Sequence, residues 1–377
     1  MRGTIHPCLP RQRGARRRRS GAAFDGAKLL ASPRASFPTA PATATIHAMK
    51  RKSGPASWLF YVAVRLVSAI MQPFPIEWNL TTARLLARLW IRLMPRHRNL
   101  AVAHVTKALG DQYAPAELDR IATRCLESIV MFAVELICLP RLVNMYTWRR
   151  YVRLVNFDEA LSLILSGRGL ILVTGHYGSF ELVGHLLAGL GFDVAAVMRP
   201  LDNVYLNRFV VRARRTHGLT LLDKKGAMNH AQALLSGGTL LGFIGDQDAG
   251  RKGIFVDFFG RPASTYKSIG LLAMVARAPI VVGYGRRQGN AARYEVGVER
   301  IIHPEEWERQ EDPLCWITQA YTAALEAIIR AAPEQYLWIH RRWKSKPRSK
   351  ADLPQVQTGP AVLDPPNGAR YDVEIQH

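Results

Sequence analysis

From Gly169 onward the chain alternates short apolar runs with longer amphipathic segments, and that alternation leaves few folds open. Strand-length apolar runs occupy 169–174, 193–199, 239–245, 279–285 and 293–301. Segments with helical spacing stand between or after them, at 180–190, 203–217, 226–236, 265–276 and 313–331. Strands that feed helices returning to the same sheet build an α/β layered domain, with a mostly parallel central sheet flanked by helices. A run such as Gly169-Leu170-Ile171-Leu172-Val173 has no polar face, so it belongs inside such a sheet, covered on both sides. Upstream, 97–150 reads as helices around one polar turn at Gly110-Asp111, and Ala116–Cys138 has the period of a helix covering the sheet.

Other segments are different in kind. Residues 1–48 carry Arg16-Arg17-Arg18-Arg19 and an Ala/Pro/Ser/Thr stretch, with few core-forming side chains. They are expected to be a disordered basic extension, either a transit-like segment or the product of a start assigned too far upstream of Met49. The tail 348–377 is expected to be disordered as well. Trp58 to Met71 is apolar except for Arg65 and Ser68, with Lys50-Arg51-Lys52 before it and Pro73-Phe74-Pro75 after it. It falls short of the roughly 20 residues a spanning helix needs. Residues 49–75 are therefore expected to be an N-terminal membrane-associating helix, interfacial or marginally transmembrane, with its basic end on the cytoplasmic side. A buried amphipathic helix is the alternative. Arg84, Arg88 and Arg92 then recur beside Leu85, Leu86, Leu89 and Trp90, a second membrane-compatible face. Residues 76–347 are expected to form the main folded domain.

The net charge of +22 points to an anionic partner. Residues 1–52 alone hold twelve Lys and Arg against a single Asp. The remaining charge is scattered, and no nucleic-acid recognition module appears, so a nucleic-acid partner is not expected. No Gly-x-Gly-x-x-Gly, phosphate-binding P-loop or zinc spacing is present, so neither a nucleotide cofactor nor a metal is indicated. Cys8, Cys125, Cys138 and Cys315 have no redox spacing.

His176-Tyr177-Gly178-Ser179-Phe180-Glu181 sits where the first of these strands hands over to a helix. The carboxyl ends of strands are where α/β sheets expose reactive groups. Histidine takes a proton from a hydroxyl near neutral pH, and a carboxylate can orient the ring. On a regular helix His176 and Glu181 would diverge; Gly178 permits the turn that could bring them together. Asp246 and Asp248 flank Gln247 at the end of another apolar strand, where they could assist a base or satisfy a turn. Asp202 or Asn203 can cap the following helix, which carries Arg208, Arg212 and Arg215 on one face and Arg214 off it. That face suits phosphates, because guanidinium binds them bidentately. His340-Arg341-Arg342-Trp343-Lys344 could clamp a phosphate or lie at a membrane surface.

Four blocks carry a resemblance: His176–Glu181; Met198-Arg199-Pro200-Leu201-Asp202-Asn203; Gly245-Asp246-Gln247-Asp248 with Gly253–Gly260 and Ala263-Ser264-Thr265; and Pro333–Lys344. In order and spacing they resemble the bacterial lipid A biosynthesis acyltransferases, a superfamily that also includes phosphatidylinositol mannoside acyltransferases. The resemblance covers roughly residues 55–347. It implies an O-acyltransferase without a cofactor, on the cytoplasmic face of the inner membrane. The donor would be an acyl thioester, on acyl carrier protein or coenzyme A, and the acceptor a hydroxyl of a phosphorylated glycolipid, a lipid A precursor. His176 would be the general base, Glu181 its orienting or charge-stabilising partner, and Asp246 would approach the same histidine. Arg199, Arg208, Arg212, Arg214, Arg215, Asp248, Arg341 and Arg342 would contact substrate. Oxyanion donors would come from backbone N–H groups near Gly178 or from an arginine, and Phe180, Leu182, Phe255, Phe258 and Phe259 could line an acyl groove. A covalent intermediate on Ser179 is the alternative to direct transfer. Gln247 departs from the family pattern, which has a histidine or arginine there. A phosphatidylinositol mannoside or other lysolipid acceptor is the alternative substrate, and a non-catalytic basic membrane- or nucleic-acid-binding protein the alternative class.

Overall fold

The computed structural model describes residues 52–347, with 199, 217 and 290 set aside. The expectations for 1–48, for 348–377 and for Arg199 lie outside the described residues. The chain opens with four helices: α1 (Pro55–Met71), α2 (Ile76–Leu93), α3 (Pro95–Leu109) and α4 (Pro115–Leu142). Three of them begin on proline, whose fixed φ and missing N–H cost nothing in a first turn. No helix among the described residues is long and apolar enough to cross a membrane. α1 lies against a later helix, with Asn203 donating to the Ser57 carbonyl at 2.8 Å and Tyr61 stacked on Tyr205. Its outer face leaves Trp58, Leu59, Leu66 and Ile70 exposed, and α2 adds Leu85, Leu86, Leu89 and Leu93. α4, about 42 Å long at ~1.5 Å per residue, joins two cores. Leu118, Ile121, Ala122 and Cys125 enter one, and Met131, Val134, Cys138 and Leu139 enter the next.

The alternating region follows as α5 (Trp148–Tyr151), β1 (Val152–Val155), α6 (Asp158–Leu165), β2 (Leu170–Thr174), α7 (Phe180–Gly189), β3 (Val194–Met198), α8 (Val204–Thr216), β4 (Leu219–Asp223), α9 (Lys224–Ser236) and β5 (Leu240–Ile244). A hairpin of β6 (Ile254–Asp257) and β7 (Pro262–Thr265) comes next, then α10 (Ser268–Ala276), β8 (Ile280–Arg287), β9 (Tyr294–Ile302), α11 (Pro304–Trp307) and α12 (Pro313–Ala331). The main sheet of the described residues has seven strands in the order β1-β9-β8-β2-β5-β3-β4. All neighbours are parallel except β8 and β9. β2 is central, and its side chains alternate between layers. Ile171 and Val173 pack toward α9, α10 and α12, and Leu170 packs toward α6 and α7.

The mostly parallel α/β sheet agrees with the sequence, but four short strands, β1, β4, β6 and β7, were not expected. Each is four or five residues long and none holds four apolar residues in a row, so no apolar run stands out from a loop. Ser264 and Thr265 consequently lie in β7, and the helix expected over 265–276 starts only at Ser268, without a side-chain cap.

Candidate active site

The strand order makes the site. β5 returns to lie beside β2, with Thr174 paired to Ile244. His176 and Asp246 each stand two residues beyond that pair, so parallel register carries them to the same height. The Asp246 carboxylate accepts the His176 backbone N–H at 2.9 Å and lies 2.8 Å from its Nδ1. The turn between them and α7 is fixed from outside. Gly178 has φ +53°, and a Cβ there would come within 2.2 Å of the Gly285 carbonyl oxygen, so only glycine fits. Gly178 donates to the Gln335 carbonyl, Ser179 to the Gly285 carbonyl, and Leu337 to the His176 carbonyl.

Burial would lower the His176 pKa, but the Asp246 carboxylate, its hydrogen bond and the more distant Glu181 reverse that and raise it above the ordinary value. Burial would raise Asp246, yet the imidazole and the two hydrogen bonds hold it at about 2. The pair thus fixes Nδ1 as the protonated nitrogen of neutral His176 and leaves Nε2 with a lone pair on the open side. The Gln247 amide nitrogen is 3.4 Å from that Nε2. His340 lies parallel to the His176 ring, centroids 5.8 Å apart; burial together with the neighbouring His176 and Arg342 lowers its pKa despite Asp246. Phe180 meets the His176 ring edge-on and stacks on Phe132.

The other expected site residues divide. Glu181 does not hydrogen-bond His176. It lies in the first turn of α7 and is gripped by Arg214, whose Nε donates to one carboxylate oxygen at 2.9 Å and whose Nη2 donates to the other. The cause is geometric: α7 begins at Phe180, so Glu181 turns away with the helix while Asp246 arrives from the next strand. Arg208, Arg212 and Arg215 are exposed on α8, which Asn203 caps by accepting the N–H groups of Tyr205 and Leu206. Asp248 accepts from the Gly250 and Ser345 N–H groups and the Ser345 hydroxyl, closing a loop. Arg342 is buried, donating to the Ser264 carbonyl and the Thr265 hydroxyl. It ties the chain end to the β6–β7 hairpin, in place of the expected substrate contact. Arg341 is exposed. Phe258 and Phe259 are core residues packed against Trp343 and Trp338, and Phe255 is buried with them, so none lines a groove. Ser179 is 1% exposed, ill placed for a covalent intermediate.

Two apolar cavities meet at Glu181 and Arg214. The larger, about 650 Å³, runs between α1, α4, α7 and α8 past Phe60, Val64, Phe132, Leu182, Leu206 and Phe209. The smaller, about 140 Å³, lies under α7 against the sheet and includes Phe180. Among the described residues no three His, Cys, Asp or Glu side chains converge as metal ligands.

Residues 47–345 match the model of the bacterial lipid A biosynthesis acyltransferases. The chain is 26% identical to the lipid A biosynthesis lauroyltransferase of Escherichia coli K12 over 304 residues, covering 78% of this chain and 94% of the relative. A lipid A biosynthesis acyltransferase of Haemophilus influenzae Rd is 28% identical over 305 residues, 78% and 93% of the two chains. The palmitoleoyltransferase of E. coli K12 is 27% identical over 207 residues, 54% and 65%. With 299 consecutive residues matched by the family model, the chain belongs to the bacterial lipid A biosynthesis acyltransferase family.

Proposed function

We propose that this acyltransferase moves a fatty acyl chain from an acyl thioester to a hydroxyl of a lipid A precursor, with His176 as general base. The acceptor hydroxyl gives its proton to His176 Nε2 as its oxygen attacks the thioester carbonyl carbon. The tetrahedral intermediate then expels the thiolate, which takes the proton back from the imidazolium and leaves as thiol. The observation that carries this is the His176–Asp246 couple at the carboxyl ends of adjacent parallel strands. Asp246 holds the tautomer and stabilises the imidazolium. Glu181 acts at longer range and positions Arg214 against the larger cavity, which has room and apolar lining for an acyl chain.

The exposed apolar faces of α1 and α2 would lie in the headgroup layer of the cytoplasmic leaflet of the inner membrane. The exposed arginines of α8 would meet the acceptor's phosphates, or the acidic surface of an acyl carrier protein donor. The test is acyl transfer by the purified protein to lipid A precursors, read by intact-lipid mass spectrometry. His176→Ala is expected to abolish transfer without altering the fold or vesicle binding. Substantial transfer by well-folded His176→Ala protein would remove the base from the mechanism.

A further inference from the structure

Attack on a thioester carbonyl places negative charge on its oxygen, and that oxygen needs hydrogen-bond donors. The turn from 176 to 179 has no uncommitted backbone N–H to supply them. The N–H of His176 goes to Asp246, that of Tyr177 to the Gly175 carbonyl, that of Gly178 to Gln335 and that of Ser179 to Gly285. Every N–H from 176 to 179 is thus spent on holding the turn.

The reacting carbonyl must nevertheless lie close to Nε2. A hydroxyl on Nε2 sits about 2.8 Å away, and in a productive complex the carbon it attacks is about 3–3.5 Å further. Two donor-bearing side chains lie within that reach. Gln247 directs its amide nitrogen at Nε2 from 3.4 Å. It is held between two pinned neighbours: Asp246 is bound by His176, and Asp248 by Gly250 and the chain at Ser345. His340 covers the face of the His176 ring, and its ring nitrogens make no hydrogen bond among the described residues. The Pro333–Lys344 segment that carries it is tied to the site by the bond from Leu337 to the His176 carbonyl.

We infer that Gln247 and His340 form a side-chain oxyanion site: both N–H groups donate to the thioester carbonyl oxygen as it becomes negative. Before substrate arrives, the Gln247 amide donates to the lone pair of Nε2. The acceptor hydroxyl takes that position and releases the amide, already in place, to the carbonyl oxygen. Neutral His340 donates from the other side. The lowered pKa of His340 favours this, since a second cation beside a protonating His176 would oppose proton transfer. The inference rests on the acyl-transfer reading and adds to it the groups that touch the carbonyl.

The test is steady-state transfer from an acyl-CoA or acyl carrier protein thioester, with kcat, KM and pH profiles for four variants. Losing one oxyanion donor typically costs about 10²–10³ in kcat. Gln247→Ala and His340→Phe are each expected to lose about that much with KM little changed, and with the acid limb set by His176 close to its wild-type pH. Gln247→Glu, the same size but an acceptor with negative charge, should be slower than Gln247→Ala on the pH plateau. His340→Gln, which restores a donor without the ring, should recover at least tenfold over His340→Phe. Retention of kcat within about threefold in Gln247→Ala or His340→Phe would overturn the assignment, as would wild-type kcat in Gln247→Glu. Transfer that needs His176 but ignores these changes would sink the donor assignment alone; absence of transfer by the wild type would sink both.

Discussion

Asp246→Asn is the sharpest test of the charge couple, because the structure dictates which way the new amide must face. Asp246 accepts two hydrogen bonds, from the backbone N–H of His176 and from its Nδ1–H. Asparagine has one acceptor oxygen and one NH2 group. The backbone N–H can only donate, so the amide oxygen must serve it. The NH2 is then left facing Nδ1, which accepts by moving the ring proton to Nε2. The nitrogen that should receive the acceptor's proton now carries one already. Removing the same carboxylate from a Ser-His-Asp triad costs about 10⁴ in kcat by this tautomer reversal. A hydroxyl attacking a thioester makes the same demand on the base, so a loss of about 10³–10⁴ is expected, or ~4–5.5 kcal/mol at 1.36 kcal/mol per tenfold.

The pH profile carries a second signature. Asp246 raises the His176 pKa, so the acid limb of wild-type kcat/KM should lie above the ordinary histidine value of ~6.5, and activity should rise with pH through it. In Asp246→Asn that limb should move to lower pH, because burial then acts on the imidazole without the carboxylate. The stability signs agree. The raised imidazole contributes fully below ~6.5 and loses its contribution as pH rises through its folded value. The carboxylate contributes fully above the ordinary aspartate value of 3.8 and loses its contribution as pH falls through about 2. Steady-state kinetics across pH on folded protein would decide. An Asp246→Asn variant within tenfold of wild-type kcat, with an unmoved acid limb, would refute the couple.

Neutralising the exposed Arg208, Arg212 and Arg215 together should raise KM about tenfold to a hundredfold for a phosphorylated acceptor, more than for its dephosphorylated form. The difference should shrink with added salt, since exposed charges are screened over about 8–10 Å; equal losses with both acceptors would assign the face to the donor or the membrane. Replacing Leu59, Leu66 and Ile70 on the outer face of α1 with Ser should weaken flotation with anionic vesicles while leaving soluble-substrate kinetics in place, and undiminished flotation would move the membrane contact elsewhere.

The layered fold was legible because the apolar runs of β2, β3, β5, β8 and β9 stand out from their surroundings, and the run Leu170–Val173 of β2 belongs in a covered sheet. Strand order was not legible. Nothing local tells β5 to return beside β2 rather than beyond β4. That return pairs Thr174 with Ile244 and brings a carboxylate 70 positions away closer to His176 than the one five positions away. Had β2 and β5 been taken as neighbours, equal offsets from the strand ends would have nominated Asp246 before Glu181. Arg342 misled for a related reason. An arginine in a basic run reads as a phosphate or surface contact, and only the short hairpin of β6 and β7 reveals the acceptors that make its burial tolerable. Gln247 and His340 carry no sequence signature of their place beside His176, because neither spacing nor composition brings a ring or an amide to it.

α8 shows where periodicity did carry through to the site. Arg208, Arg212 and Arg215 recur at helical spacing on one face, and Arg214 lies about 200° around from Arg212 at ~100° per residue. The folded chain uses both sides of that division. The three aligned arginines are exposed, and the odd one turns inward to hold Glu181 at the junction of the two cavities. An arginine there neutralises a carboxylate that would otherwise stand unpaired beside both cavities. It also keeps that carboxylate near enough to His176 to add to the raised pKa. The five-residue spacing from His176 to Glu181 thus acts through the guanidinium of another helix. Glu181→Gln is accordingly a change to the ion pair with Arg214, whereas Asp246→Asn is a change to the proposed base.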